Sequence, residues 1–205
     1  MNSRLTYRLG LLLLIFLAVS ISAARADTVT FDQTNTVFAF GGLFQNVTVF
    51  SPIGQSFTPT LTSLNFVNLL TEAFVPSFTL QVDIHFGSIS GTILGTSLPT
   101  TVLLPSPPFA NVLTPFTFST PVSLVPGNIY VIQVLPVSVA QGLVGSSDAN
   151  FYPGGTQILG GIAQPNNDLW FQEGIATPEP GMLLLLAAGL IGLLATALFG
   201  NRLIS

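Results

Sequence analysis

Between residues 27 and 180 the chain carries no lysine and no arginine. The four arginines are Arg4, Arg8, Arg25 and Arg202, while all eight acids (Asp27, Asp32, Glu72, Asp83, Asp148, Asp168, Glu173 and Glu179) fall inside this cation-free stretch. A fold made from it cannot draw on Lys or Arg ion pairs, so apolar burial and backbone hydrogen bonds must stabilise it. The same feature argues against nucleic acid as a partner, because a surface without cations cannot release the counterions of a phosphate backbone. Phosphorylated substrates are disfavoured on the same ground. Cysteine is absent too, which removes disulfides, iron–sulfur clusters, zinc–thiolate sites and thiol nucleophiles. An exported domain without disulfides needs a sizeable core, and roughly 150 residues suffice to build one.

The export itself is read from the first 26 residues. Arg4 and Arg8 form a positive start, residues 9–21 form an apolar run short for a bilayer, and Ala24-Arg25-Ala26 offers the small-x-small pattern of signal peptidase. Cleavage after Ala26 leaves a domain at 27–175 and a C-terminal segment at 176–205.

Between those ends the sequence is rich in Thr, Val, Phe and Leu and is punctuated by Pro, Gly and Asn at short intervals. That pattern predicts an all-β fold of short antiparallel strands, and the lack of a 20–50-residue repeat excludes a propeller or solenoid. In "SFTLQVDIHFG", Phe78, Leu80, Val82, Ile84 and Phe86 point one way while Thr79, Gln81, Asp83 and His85 point the other. The period of two predicts one buried and one wet face. "LTSLNFVNLL" predicts a strand with Leu64 and Phe66 opposite Asn65, and "PFTFST" one with Phe116 and Phe118 inward. Pro126-Gly127 suits a type II turn leading into a central strand at 129–135. "NNDLWFQE" sets Leu169 and Phe171 against Asp168, Trp170 and Gln172. Residues 142–167, rich in Gly, Asn and Ser, predict long loops and short edge strands, and "GIATPEP" reads as a linker.

Residues 181–200 are twenty positions without a charge, about 30 Å as a helix, which matches the hydrocarbon thickness of a bilayer. Arg202 on one flank and Glu179 on the other orient this transmembrane helix with Arg202 in the cytoplasm. Pro178-Glu179-Pro180, the apolar span directly after it and the basic Arg202 together resemble the PEP-CTERM sorting signal of bacterial exported proteins. The resemblance implies cleavage near the motif by a membrane processing enzyme of the exosortase type. It further implies delivery to the cell envelope or extracellular matrix and a link to exopolysaccharide and biofilm. A single arginine stands here where members of that family usually carry a cluster. The stretches "GQSFTPTLTSL", "LVPGNIYVIQV", "YPGG" and "DLWFQ" resemble the jelly-roll ectodomains found upstream of such tails. They imply an antiparallel β-sandwich, similar to carbohydrate-binding modules, and no catalysis.

Little else carries chemistry. His85 is the sole histidine and shares a strand face with Asp83, their Cα atoms roughly 7 Å apart, but no serine is marked to complete a triad. Zinc needs more nitrogen and sulfur ligands than the chain has. Calcium takes carboxylate and amide oxygens, which makes Asp148 and Asp168, in "DAN" and "NND", its candidate ligands. Sugar binding needs an aromatic platform beside amides, for which Trp170 and Tyr152 are the candidates. The expectation is a non-catalytic structural or adhesive protein that contacts polysaccharide. A secreted polysaccharide hydrolase with two opposed carboxylates and a permanently anchored surface protein are the alternatives.

Overall fold

A computed structural model describes residues 27–37, 43–105, 110–138 and 142–178. The signal peptide expected at 1–26, Glu179, Pro180, the helix expected at 181–200 and Arg202 lie outside them. The chain divides into one compact unit at Val29–Ala176 and a second at Met1–Thr28 with Thr177–Ser205. Within the second, the Thr177 hydroxyl donates to Thr28 O at 3.4 Å.

All described regular structure is strand: β1 (Asp27–Asn35), β2 (Leu43–Asn46), β3 (Ile53–Phe57), β4 (Ser63–Ala73), β5 (Ser77–Phe86), β6 (Ile93–Thr96) and β7 (Thr100–Leu103). There follow β8 (Val112–Ser123), β9 (Tyr130–Pro136), β10 (Gly142–Ser147), β11 (Gln157–Leu159), β12 (Ile162–Gln164), β13 (Asp168–Leu169) and β14 (Phe171–Pro178). They form two antiparallel sheets. Sheet A runs β1-β14-β4-β10-β13, with β2 on β10 and β8 on β4; sheet B runs β12-β11-β3-β9-β5-β6, with β7 on β5. One core joins them: Val67, Leu69, Phe116 and Phe171 from sheet A meet Ile53, Phe57, Leu80, Ile84 and Ile132 from sheet B.

The strongest local patterns are realised. Phe78, Leu80, Val82 and Ile84 of β5 enter the core, while Phe86 at the strand's end does not and is 48% exposed. β9 is central, between β3 and β5. The turn before it has Gly127 at φ +84° and Asn128 N donating to Val125 O at 3.2 Å, which is the type II geometry that Pro126-Gly127 favours.

Four expectations are corrected. The outer face of β5 is wet only in part: Thr79 and Gln81 are half-buried, but Asp83 and His85 are buried, and at His85 the β5–β6 connection folds back to place Gly91 O 3.0 Å from Nδ1. Leu64 and Phe66 do not share a face, since an irregularity between them shifts the register of β4 and puts Leu64, Val67 and Leu69 into the core. Phe66 instead packs on the outside against Phe31, ring centroids 5.7 Å apart. Residues 142–147 are no loop or edge but the interior strand β10, every residue buried. Its small residues are needed: a Cβ on Gly142 would collide with the Phe78 ring, and one on Gly145 would press on Leu70. Finally, β14 continues to Pro178 rather than dissolving after Glu173.

Candidate functional site

The polar chemistry of Val29–Ala176 collects at one end of the core, where β13, β14, β1 and the start of β3 approach the β10–β11 connection. Asp168 is its hub. Sequence alternation sets it outward with Trp170, yet it is completely buried. Oδ1 accepts from Gln55 Nε2 at 3.0 Å, and Oδ2 accepts from the backbone N–H groups of Phe151 and Tyr152, both at 2.8 Å. Gln55 closes the loop by accepting from Leu169 N at 2.8 Å. Beside it, Ser146 of sheet A donates to Gln157 of sheet B at 3.0 Å. A carboxylate whose two oxygens already take three donors is a structural acceptor for the 148–156 connection.

Tyr152 links this hub to a second cluster. Its ring is buried edge-on against Phe171 at 5.1 Å, and its hydroxyl donates to Gln33 Oε1 at 3.0 Å and accepts from Thr58 N at 3.1 Å. Burial, outweighing the Thr58 contact and joined by the charges of Glu173, Asp32 and Asp168, pushes the phenol up to about 12. Next to it stand two carboxyl groups with opposite tendencies. Glu173 is fully buried; burial and the neighbouring Asp32 push it up to about 8 against a single backbone contact from Gln33 N. Burial also raises Asp32, but the N–H groups of Leu61 and Thr60, the Thr60 hydroxyl and the Gln33 amide outweigh it and hold Asp32 below its ordinary value. Two carboxyls split in this way are the elements of acid–base catalysis. Here the one pushed up to about 8 has no exposed surface.

The candidate ligands therefore separate. Tyr152 packs into the core, whereas Trp170 is half-buried between buried Leu169 and Phe171 and is not part of it. Asp148 is exposed while Asp168 is buried and saturated, so the two do not present oxygens to one cation. Among the described residues no three His, Asp or Glu side chains gather as metal ligands. Pro178 ends β14, and Glu179, Pro180 and Arg202 of the expected sorting motif lie outside the described residues. Sequence reasoning passed over Asp32, Gln33, Gln55 and Glu173. For Glu173 the signal was present, because the period of two that sends Leu169 and Phe171 inward carries on to position 173.

Two surfaces remain. Sheet A shows Trp170, half-buried, with Gln172 beside it; Asn68 Nδ2 donates to Gln172 Oε1 at 3.3 Å, and the register places Leu113 opposite Leu70 and Pro115 opposite Asn68. Sheet B carries a shallow depression of about 280 Å³ whose floor includes Ser56, Val131, Thr156 and Ile158, and no Asp, Glu or His lines it. No protein-family model matches the chain, and a search of curated proteins finds no match.

Proposed function

We propose that this chain is a non-catalytic exported protein of the bacterial envelope or extracellular matrix. In this reading residues 1–26 direct export and signal peptidase removes them. Val29–Ala176 forms a jelly-roll-like β-sandwich, and Pro178-Glu179-Pro180 with the span at 181–200 is a PEP-CTERM sorting signal for an exosortase-type enzyme. The helix would hold the precursor in the membrane until processing. The role is structural or adhesive, in contact with exopolysaccharide. The observation that carries it is the order of the sequence: motif, uncharged twenty-residue span and Arg202 directly after a cation-free β domain.

The buried placement of the polar groups supports a non-catalytic role, since Asp168, Glu173 and Tyr152 are spent inside the fold. The outer face of sheet A supplies what a weak contact with a neutral glycan needs, an indole edge with the Asn68 and Gln172 amides alongside. Mass spectrometry of the mature C-terminus tests the sorting: a chain ending near the Pro-Glu-Pro is expected, and an intact 181–205 segment would sink it. Glycan-array binding by the full chain tests the contact. Trp170→Ala should lower the signal several-fold, and a variant that binds as well as the parent removes Trp170 from any site.

A further inference from the structure

The Glu173 carboxyl is buried in a domain that has no lysine or arginine to pair with it. It has no exposed surface and points inward from β14 with Leu169 and Phe171. Oε1 accepts from Gln33 N of β1 at 3.1 Å, while Oε2 receives no N–H or O–H. The groups that face it can be named from each element. β1 brings the Asp32 carboxyl close enough for its charge to act on Glu173, and the β10–β11 connection brings the Tyr152 hydroxyl, on which the Glu173 charge acts in turn. β4 offers Val67 at the paired position, and the β3–β4 connection offers uncharged Thr58 and Thr60. Tyr152 is already committed to other partners. No lysine or arginine exists between Arg25 and Arg202 to neutralise a second negative charge. Asp32 holds its four donors and takes the ionised form. A proton on Glu173 then takes the charge off a buried carboxyl whose Oε2 no N–H or O–H reaches.

We propose that this proton is a latch on the edge strand β1: while Glu173 is protonated residues 29–35 are held to the domain, and when it ionises they are released with the rest of the fold intact.

The architecture makes β1 the element that gives way. It is the edge of sheet A, with β14 as its neighbour. Its apolar side chains contribute little burial, Val29 and Phe31 being 46% and 47% exposed. Besides its backbone pairing with β14, what ties it down is polar: Asp32 to Thr60 and Leu61, Gln33 to Glu173 and Tyr152, and Asn35 Nδ2 to Leu169 O at 2.9 Å. Ionised Glu173 would face ionised Asp32 with no cation between them, and separating the strands is the available relief. Release would uncover the edge of β14 and the ring of Phe66, which Phe31 now caps, and so create an open strand-pairing edge controlled by pH.

Hydrogen exchange of the full chain at about pH 6 and about pH 9, corrected for the chemical rate, tests the latch. Protection of residues 29–35 should fall roughly a hundredfold at the higher pH, about tenfold for each pH unit from 6 up to the folded value of about 8 and little beyond it, while Ile132 and Val134 of β9 keep theirs. Glu173→Gln, which carries no charge at either pH, should abolish the change. Unchanged protection of β1 in the parent, equal loss in β1 and β9, or an undiminished pH response in Glu173→Gln would each overturn the proposal. A second measurement needs no variant: the side-chain carboxyl ¹³C shift of Glu173 should titrate near about 8. A midpoint in the ordinary glutamate range of about 4.3 would refute it.

Discussion

Asp168 and Glu173 sit five positions apart at the end of the domain, both buried, and they solve the same problem differently. Asp168 is supplied with three donors, so its replacement leaves buried N–H groups without an acceptor. Each such orphan costs about 1–3 kcal/mol. Asp168→Ala should therefore lower unfolding stability by at least about 3 kcal/mol, read as a shift in the urea midpoint at constant slope. Glu173 is supplied with a proton, which makes stability depend on pH. Its folded value of about 8 lies above the ordinary 4.5, so its stabilising contribution is complete below 4.5 and is lost as pH rises toward 8. Asp32 works in the opposite sense: its contribution is present above 3.8 and is lost as pH falls through its lowered folded value. With about 1.4 kcal/mol per unit, the parent should lose a few kcal/mol between about pH 5 and pH 8.5, and Glu173→Gln should flatten that slope. A parent equally stable at both would contradict the burial argument.

Among the elements, the turns and edges separate conformational demands from packing demands. Gly127 has a positive φ and open space around it, so Gly127→Ala incurs only the left-handed backbone penalty, about 1–2 kcal/mol. Gly174 is the reverse case. Its backbone is ordinary, but a Cβ there would collide with Thr30 O of β1. Gly174→Ala should displace β1 and raise exchange in residues 29–35 at every pH, in contrast to the pH-gated release in the parent. Strand β8 is an edge element that carries Pro115 and Pro121, two positions without an N–H to offer another chain. β1 carries no proline and relies on its polar ties. Strands with a strict period of two, such as β5 and β9, were legible because one face meets the core at every second residue. β10 was not legible, because Gly and Ser bury on both faces without producing a hydrophobic period.

For the whole molecule, the missing cations govern behaviour in salt. Val29–Ala176 contains Asp32, Glu72, Asp83, Asp148, Asp168 and Glu173 with no lysine or arginine. Added salt has no Lys or Arg ion pairs to screen there and only mutual repulsion to weaken. The melting temperature should hold or rise slightly between low salt and about 0.5 M NaCl, where a protein held by ion pairs would soften. A clear fall would mean that an attractive charge interaction had been overlooked.

The sequence by itself determined the all-β class, the core faces of β5 and β9, the Pro126-Gly127 turn and the reliance on burial without ion pairs. Those follow from period, turn chemistry and composition, which act locally or do not depend on shape. Tertiary structure alone decided which acids are buried and what surrounds them. Asp168 became a saturated hub because the 148–156 connection folds over it, and Tyr152 turned inward because its hydroxyl meets Gln33 and Thr58. The meeting of Asp32 and Glu173, 141 positions apart in the chain, depends on β1 neighbouring β14 at the edge of sheet A. Composition shows that such a pair would find no cation; only the sheet order shows that the pair exists.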